Sequence, residues 1–266
     1  MFPNHSVGAE IYDPAIDRWS RTGPMSVDRL DQSATLLRDG RVLVAGGQAS
    51  ITASGSAEIY DPKQNRWLTA ASMTKGREGH TATLLPNGEV LLIGGQGPQT
   101  DPVYPYGVIP TATSDVYAPG IDRWSPVASM SGPRIEQTST LLRNGTVLVV
   151  GNAVPGTSRA EAYDPTRNLW STVSEPMDRY HHTATQLPDG RVLIVGGYGI
   201  ASLASTLLYD PGATAPTHRA RTNPLLVIAL LLTAFVILAA AALAIPAVRR
   251  RLPGGRPPGE SEEWIP

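Results

Sequence analysis

The chain has 266 residues, and its 22 basic and 23 acidic side chains give a formal net charge of −1. These charges are scattered and form no basic stripe, so nucleic acid is not an expected partner. Cysteine is absent, which excludes disulfides, thiolate metal sites and thiol nucleophiles from this sequence. The length allows one large all-β domain or two smaller ones, and the extent of the internal repeats favours one.

One phrase of the sequence is repeated four times, and each copy predicts a β-hairpin. The copies begin at Ser33, Thr81, Thr138 and Thr183. Each consists of two short runs rich in Leu, Val and Thr, separated by Asp-Gly or Asn-Gly. These dipeptides supply the positive φ angles of a type I′ turn. The hairpins therefore provide the first and second strands of a repeating unit.

A second phrase, Tyr-Asp-Pro followed by Trp, lies between the hairpins. The Tyr and Trp are seven residues apart in each full copy, at Tyr12 and Trp19, Tyr60 and Trp67, Tyr117 and Trp124, and Tyr163 and Trp170. Proline and a following Asn or Asp favour a tight turn between the two aromatic residues. The phrase predicts the third and fourth strands, so each unit has four antiparallel strands.

Units that recur at this period bury their apolar faces against one another, as the blades of a β-propeller do. The third strand occurs five times and the hairpin four times, so the chain begins and ends inside a unit. A four-bladed ring can close if the first Tyr-Trp strands pair with the last hairpin, which leaves the strand of Tyr209 or of Tyr12 redundant. The start within a unit, and residues 1–6 without secretory-signal character, also predict a truncated amino terminus.

The repeated residues resemble the kelch family, in the galactose-oxidase-like superfamily, over roughly residues 9–211. The shared features are paired glycines after the second strand, Tyr-Asp-Pro after the third, the Trp and an Arg before the first strand. The sequence departs from the pattern at Ala118 and Asn152. The resemblance implies an all-β kelch-type propeller of four-stranded antiparallel blades, about four to five in number, with an incomplete ring as one alternative.

A membrane anchor is predicted near the carboxyl terminus. Residues 225–248 carry no charge, and about 20 apolar helical residues span a bilayer. Arg249, Arg250 and Arg251 follow this run, so the positive-inside rule places the carboxyl-terminal tail in the cytoplasm and the propeller outside. A tail-anchored protein with a cytoplasmic propeller is the alternative.

The predicted organisation of the chain has four parts. They are a propeller at residues 1–215, a linker at 216–223, a transmembrane helix at 224–248 and a disordered, basic-then-acidic tail at 249–266. The expected location is the cell membrane, as a single-pass bacterial surface protein that contacts the lipid bilayer through residues 225–248.

Any binding site is expected on the face that carries the longer loops, from the second to the third strand and from the fourth strand to the next unit. The loop from Gly95 to Tyr117 is the longest of its kind and carries Tyr104 and Tyr106 beside several prolines. Rigid prolines and amphipathic tyrosines suit recognition. A tolerated surface insertion is the alternative.

Two rows of polar residues precede the first strands. The first row is Arg29, Arg77, Arg134 and Arg179, and the second is Gln32, His80, Gln137 and His182. The arginines could ring the mouth of the channel and hold an anion such as an acidic sugar. Alternatively, each arginine pairs with carbonyls or a carboxylate of the neighbouring blade, because repeated residues usually serve the repeat. The second row could line the channel or form ordinary hydrogen bonds.

The sequence favours a non-enzymatic module at the cell surface that binds a protein or carbohydrate ligand. Absence of cysteine disfavours the copper radical oxidase chemistry known from this superfamily, and we expect no cofactor, metal or catalytic residue. Two alternatives remain. One is an enzyme of the sialic acid mutarotase type, and the other is a tail-anchored cytoplasmic scaffold.

Overall fold

The computed structural model describes residues 7–49, 52–97, 109–151, 159–176, 179–199 and 203–212, with 174–176 as backbone only. The described residues form β-strands and no helix. The first two strands, β1 (Glu10–Asp13) and β2 (Arg18–Arg21), form an N-terminal hairpin. The remaining long strands form four antiparallel sheets in chain order.

Sheet 1 contains β3 (Ser33–Leu36), β4 (Val42–Ala45), β7 (Ala57–Asp61) and β8 (Arg66–Ala70), and the short pair β5 (Gln48–Ala49) and β6 (Thr52–Ala53) lies between β4 and β7 in the chain. Sheet 2 contains β9 (Thr81–Leu84), β10 (Val90–Ile93), β11 (Ser114–Ala118) and β12 (Arg123–Val127). Sheet 3 contains β13 (Thr138–Leu141), β14 (Val147–Val150), β15 (Arg159–Asp164) and β16 (Leu169–Pro176). Sheet 4 has three strands, β17 (Thr183–Gln186), β18 (Val192–Val195) and β19 (Thr206–Tyr209).

The structure confirms the predicted four-stranded unit in sheets 1 to 3. The hairpin turn is not the predicted type I′ turn, because the glycine of each Asp-Gly or Asn-Gly pair has a positive φ, for example 86° at Gly40, but the residue before it does not. The Gly40 amide donates to the Leu37 carbonyl at 3.1 Å and the Leu37 amide donates to the Arg41 carbonyl at 2.8 Å, so the two strands are joined by a three-residue loop that ends in a left-handed glycine.

In the second turn, the Tyr60 hydroxyl donates to Asn65 Oδ1 at 2.8 Å, and Asn65 has a φ of 47°. The Tyr60 and Trp67 rings lie across the strand pair with centroids 5.1 Å apart. The seven-residue spacing therefore corresponds to one tight turn, with the Tyr and the Trp paired across the two strands that it joins.

Consecutive sheets pack face to face through their apolar residues. The first strand of each sheet contacts the first strand of the next, as β3 contacts β9, β9 contacts β13 and β13 contacts β17. Between sheets 1 and 2, Leu43 of the one sheet and Leu92 of the other lie in a single buried cluster. This arrangement is consistent with successive blades of a kelch propeller. We call the side of a sheet that faces the next sheet its forward face, and the other its backward face.

The two ends of the series do not meet in the described residues. In sheet 4 the third position beside β18 is occupied by β19, the strand of Tyr209. Among the described residues, β1 pairs only with β2. The closure considered from the sequence, with the N-terminal hairpin completing the last unit, is therefore not formed among the described residues, and the strand of Tyr12 is the surplus one.

The chain divides into two compact units, Met1–Ala220 and Arg221–Pro266, and every described residue belongs to the first. The predicted linker, membrane span and tail lie outside the described residues, as does Asn152. Within the ranges that are described, no helix is long and apolar enough to cross a membrane.

Candidate binding surface

The loops that enter the first strands lie beside the loops that leave the second strands, as the strand order predicts. Isolated bridges join Leu30 to Gln48, Glu78 to Gln96, and Tyr180 to Tyr198. The row of arginines lies in these entering loops, and each guanidinium reaches back into its own sheet. Each Nη1 donates to a glycine carbonyl at the end of the second strand, at 2.8 to 3.1 Å, on Gly46, Gly94, Gly151 and Gly196.

Three of the four arginines form buried ion pairs with the third strand of their own sheet. Arg29 Nη2 lies 3.0 Å from Glu58 Oε1, and Arg134 Nη2 lies 2.7 Å from Glu161 Oε2. Arg77 pairs in the same way with Asp115, and burial lowers the pKa of Arg77. The carboxylate thus comes from the same sheet and not from the neighbouring one, and it neutralises each of these three arginines internally.

Arg179 occupies the same position in sheet 4 but has a different partner set. Its Nη1 donates to the Gly196 and Ser205 carbonyls, and its Nη2 lies 3.3 Å from Ser205 Oγ. In the position of Glu58, two residues before the strand tyrosine, sheet 4 has Leu207. Arg179 is 6% exposed, and burial lowers its pKa. Among the described residues, no carboxylate forms an ion pair with it.

The second polar row links neighbouring sheets. His80 Nε2 lies 2.9 Å from Ser33 Oγ, and His182 Nε2 lies 2.9 Å from Thr138 Oγ1. Gln137 Nε2 donates to the carbonyl of Ile93 at 2.8 Å. Each of these bonds joins the start of a first strand to the sheet before it.

The histidines of this row are buried and neutral near pH 7. Burial, with Arg77 nearby, lowers the pKa of His80 to about 3, and burial with Arg179 nearby lowers that of His182 to about 4. In the described structure each imidazole links its own sheet to a hydroxyl of the sheet before it. Gln32, which has no preceding sheet beside it, is exposed.

The paired glycines admit the backbone of the next sheet. A Cβ atom on Gly46 would lie 2.5 Å from the Arg77 carbonyl oxygen, and one on Gly94 would lie 2.7 Å from that of Arg134. The same carbonyl of Arg77 accepts a hydrogen bond from the Gly47 amide at 2.8 Å. Both glycines of the first pair also have positive φ, so a side chain here would disturb both the backbone and the contact.

A row of left-handed residues, one for each sheet, lies two positions after the arginines. Its members, with their φ angles, are Asp31 at 55°, Gly79 at 61°, Glu136 at 58° and His181 at 53°. The Gly79 amide donates to the Asp31 carbonyl at 3.1 Å, and the Glu136 amide donates to the Gly79 carbonyl at 3.3 Å. The sequence does not predict this row, because its four residue types share no pattern that marks a common backbone conformation.

The side chains of this left-handed row are accessible to solvent. Asp31 and His181 are exposed and Glu136 is half-buried, and His181 Nε2 lies 3.2 Å from Glu136 Oε2. Beside them Tyr180 stacks on the half-exposed Tyr198, with ring centroids 5.9 Å apart. We call these five residues the mouth surface. They combine carboxylate, imidazole and aromatic groups on the long-loop side.

Two site predictions receive no structural description. Tyr104 and Tyr106 lie outside the described residues.

The described residues contain no group of three or more His, Cys, Asp or Glu side chains placed to hold a metal ion.

Comparison with known families identifies the repeated unit. Residues 32–74 match the family model of the kelch motif. The match covers sheet 1, and it supports a place for the chain among kelch-repeat proteins. Sheets 2 and 3 have the same order of four antiparallel strands as sheet 1. A search of curated proteins finds no match to this chain.

Proposed function

We propose that this chain is a protein-binding kelch module that contacts its partner through the mouth surface. The kelch motif in sheet 1 supports a protein-binding propeller, since such repeats generally mediate contacts between proteins. The mouth surface combines charged groups with an aromatic pair, a mixture that suits a protein surface carrying basic and apolar side chains. A carbohydrate ligand and a non-enzymatic role remain predictions from the sequence.

The observation that carries this proposal is the left-handed backbone at three non-glycine residues of the mouth. Asp31, Glu136 and His181 all have φ between 53° and 58°. This conformation costs an L-residue roughly 1–2 kcal/mol, and glycine would avoid the cost. The side chains are nevertheless present and reach solvent, whereas the arginines below them are turned inward to protein acceptors. Exposed side chains on strained backbone favour a role in recognition over a role in folding.

The test compares charge reversal on the two faces of the module. Glu136→Arg changes the mouth surface, and Glu89→Arg changes a half-buried turn residue between a first and a second strand. Both variants and the parent chain are subjected to cross-linking in source-cell extract, and cross-linked proteins are identified by mass spectrometry. We expect Glu136→Arg to remove a partner that the parent and Glu89→Arg both retain. Equal partner recovery with Glu136→Arg and the parent would contradict the proposal.

We also propose that the module is anchored in the cell membrane by residues 225–248, with the repeats outside and the tail in the cytoplasm. The uncharged run and the three arginines that follow it support this placement. The chain should remain in the carbonate-washed membrane pellet and lose this behaviour when 225–248 is deleted. Recovery of the parent chain in the aqueous fraction would overturn the anchor.

A further inference from the structure

Sheet 4 lacks a residue that the other three sheets possess. In sheets 1, 2 and 3 the third strand carries a carboxylate two residues before its tyrosine, which pairs with the buried arginine of the sheet. In sheet 4 this position on β19 is Leu207. Arg179 therefore retains a buried charge with only carbonyl and hydroxyl partners in the described structure. A buried charge without a counter-ion is unfavourable.

The N-terminal hairpin has the complementary excess. On β1, Glu10 stands two residues before Tyr12, in the register that Glu58 has relative to Tyr60. Its ion pair within the described residues is with Arg21 at 3.7 Å, and both side chains are largely exposed. An exposed pair of this kind contributes little. The chain thus holds a third strand with an acid but no buried arginine, and a buried arginine whose third strand has no acid.

We propose that the N-terminal hairpin of a second copy of this chain completes sheet 4, with β1 beside β18 and Glu10 paired to Arg179. In this assembly β1 takes the third position that β19 occupies in the single chain. The strand it replaces is only partly buried, with Thr206 and Leu208 exposed. The equivalent residues of β7 in sheet 1 are all buried. The exchange therefore removes a loosely covered strand and supplies a counter-ion.

A repeated hydrogen-bond clamp supports the same docking. The Ala71 amide donates to Asp122 Oδ1 at 2.8 Å, and the Trp124 Nε1 donates to the Ala71 carbonyl at 2.7 Å. The Tyr117 hydroxyl donates to the same Asp122 oxygen at 2.7 Å. The amide and the carbonyl of one residue are thus held by the turn residue and the tryptophan of the next sheet. The arrangement recurs at Ala128, which bonds Asn168 and Trp170.

The N-terminal hairpin carries this clamp ready formed. Its Tyr12 hydroxyl donates to Asp17 Oδ1 at 2.8 Å, and the Tyr12 and Trp19 ring centroids are 5.1 Å apart. Trp19 is 67% exposed, whereas Trp124 is 9% exposed. The clamp on the hairpin is therefore open to the backbone amide and carbonyl of a residue from a preceding sheet.

The forward face of sheet 4 and the backward face of sheet 1 are open in a matching way. Among the described residues, a Cβ atom on Gly196 would have one atom within 4 Å, the Leu203 carbonyl oxygen at 3.8 Å, whereas Gly46 and Gly94 lie against an arginine carbonyl. On the backward face of sheet 1, Leu36 is 64% exposed, whereas its counterpart Leu84 packs against a buried cluster. These two surfaces are the two halves of the junction that joins the sheets elsewhere.

A second copy fits these surfaces better than the same chain does. The N-terminal hairpin is fixed to sheet 1 by the Trp67 Nε1, which donates to the Gly23 carbonyl at 2.8 Å. Among the described residues of one chain, β1 pairs only with β2, and β19 takes the place beside β18. A second copy joins head to tail without changing any junction.

Engineered disulfides test the docking, because the chain has no natural cysteine. In the register of sheet 4, Leu193 pairs with Leu208 of β19, and it would pair with Ile11 of an incoming β1. The full-length chain with Leu193→Cys and Ile11→Cys should form a disulfide-linked dimer on non-reducing gels. Leu193→Cys with Leu208→Cys is the matched control and should report the single-chain pairing as a cross-linked monomer.

Each alternative result overturns the proposal. A cross-linked monomer in the Ile11 variant would place the hairpin of the same chain on β18. Absence of a cross-link there, with efficient cross-linking in the Leu208 control, would show that β19 keeps its position.

Sedimentation of the full-length chain in detergent solution gives a second measurement that needs no cysteine. We expect concentration-dependent self-association that Glu10→Arg weakens at least about tenfold, because it places two cations together. Glu89→Arg makes the same charge change on a turn between a first and a second strand, away from the N-terminal hairpin, and should leave association unchanged. Equal association of the Glu10→Arg variant and the parent, or a monomer at all concentrations, would contradict the proposal.

Discussion

The interior junctions between sheets and the two ends of the series are built from the same repeat positions, yet they are different environments. At an interior junction Trp124 is buried and bonds a carbonyl of the sheet before it. At the N-terminal end Trp19 has the same tyrosine partner and the same turn, but it is exposed. The repeat therefore fixes the local shape of each unit. Contact with a neighbouring sheet decides whether a given residue is buried and stabilises the protein.

The ion pairs show the same contrast. Glu161 accepts bonds from Arg134 and from the Ser131 amide and is almost fully buried. Glu10, at the equivalent repeat position, has an exposed pair with Arg21. The same repeat position is therefore buried and ion-paired inside the series but exposed at its N-terminal end. Glu10 is thus available for a contact between chains.

The largest expected effect is loss of an interior carboxylate. Glu161→Gln leaves Arg134 as a buried, uncompensated cation and should lower the free energy of unfolding by about 3–5 kcal/mol. Glu10→Gln removes only an exposed pair and should change it by less than about 1 kcal/mol in dilute solution. Denaturant unfolding of both variants measures the difference. Similar losses would show that the two ends are as tightly packed as the junctions.

A smaller difference is expected between two glycines with nearly the same backbone. Gly94 and Gly196 have φ of 62° and 67°, so alanine costs roughly 1–2 kcal/mol at either position from conformation alone. At Gly94 the new Cβ would also meet the Arg134 carbonyl, and the total loss should exceed about 3 kcal/mol. Thermal unfolding of Gly94→Ala and Gly196→Ala gives the comparison. Equal losses would mean that the junction adapts to a methyl group.

The smallest expected effect is a loss of folding stability at acidic pH. The pKa of His80 is lowered to about 3, below its ordinary value, so the folded chain keeps this imidazole neutral while the unfolded chain protonates it below about pH 6.5. Stability from this group is therefore complete above that pH and falls on acidification, by about 2 kcal/mol at about pH 5.

His80→Gln is the informative variant, because glutamine holds the same position at Gln137. It should unfold with a weaker dependence on pH between about 7 and 5 than the parent chain does. Gln32→His places an imidazole at the exposed end position and is the control, which should leave the dependence unchanged. An identical pH profile in the His80→Gln variant and the parent would contradict the buried, neutral histidine.

Much of the fold could be predicted because its signals are local. Asp39-Gly40 specifies a hairpin turn through backbone angles, and the spacing of Tyr60 and Trp67 specifies a second turn of fixed length. Both depend on a few neighbouring residues, so they can be recognised in the sequence. The site was predicted less well. The arginines were identified as a row, but their carboxylate partners lie about 30 residues away in the chain. The alternative that paired each arginine with a carboxylate placed that carboxylate in the neighbouring sheet, whereas the structure places it in the same sheet.

By itself, the sequence determined the repeat, the all-β class and the kelch-type unit, because turn residues and short apolar strands act at short range and recur at a fixed period. Tertiary structure decided which carboxylate neutralises Arg134, that β19 takes the place beside β18, and that Asp31, Glu136 and His181 share a left-handed backbone at one mouth. These outcomes depend on contacts between residues far apart in the chain. Such contacts are chosen by packing and by the burial of charge, and neither leaves a local pattern.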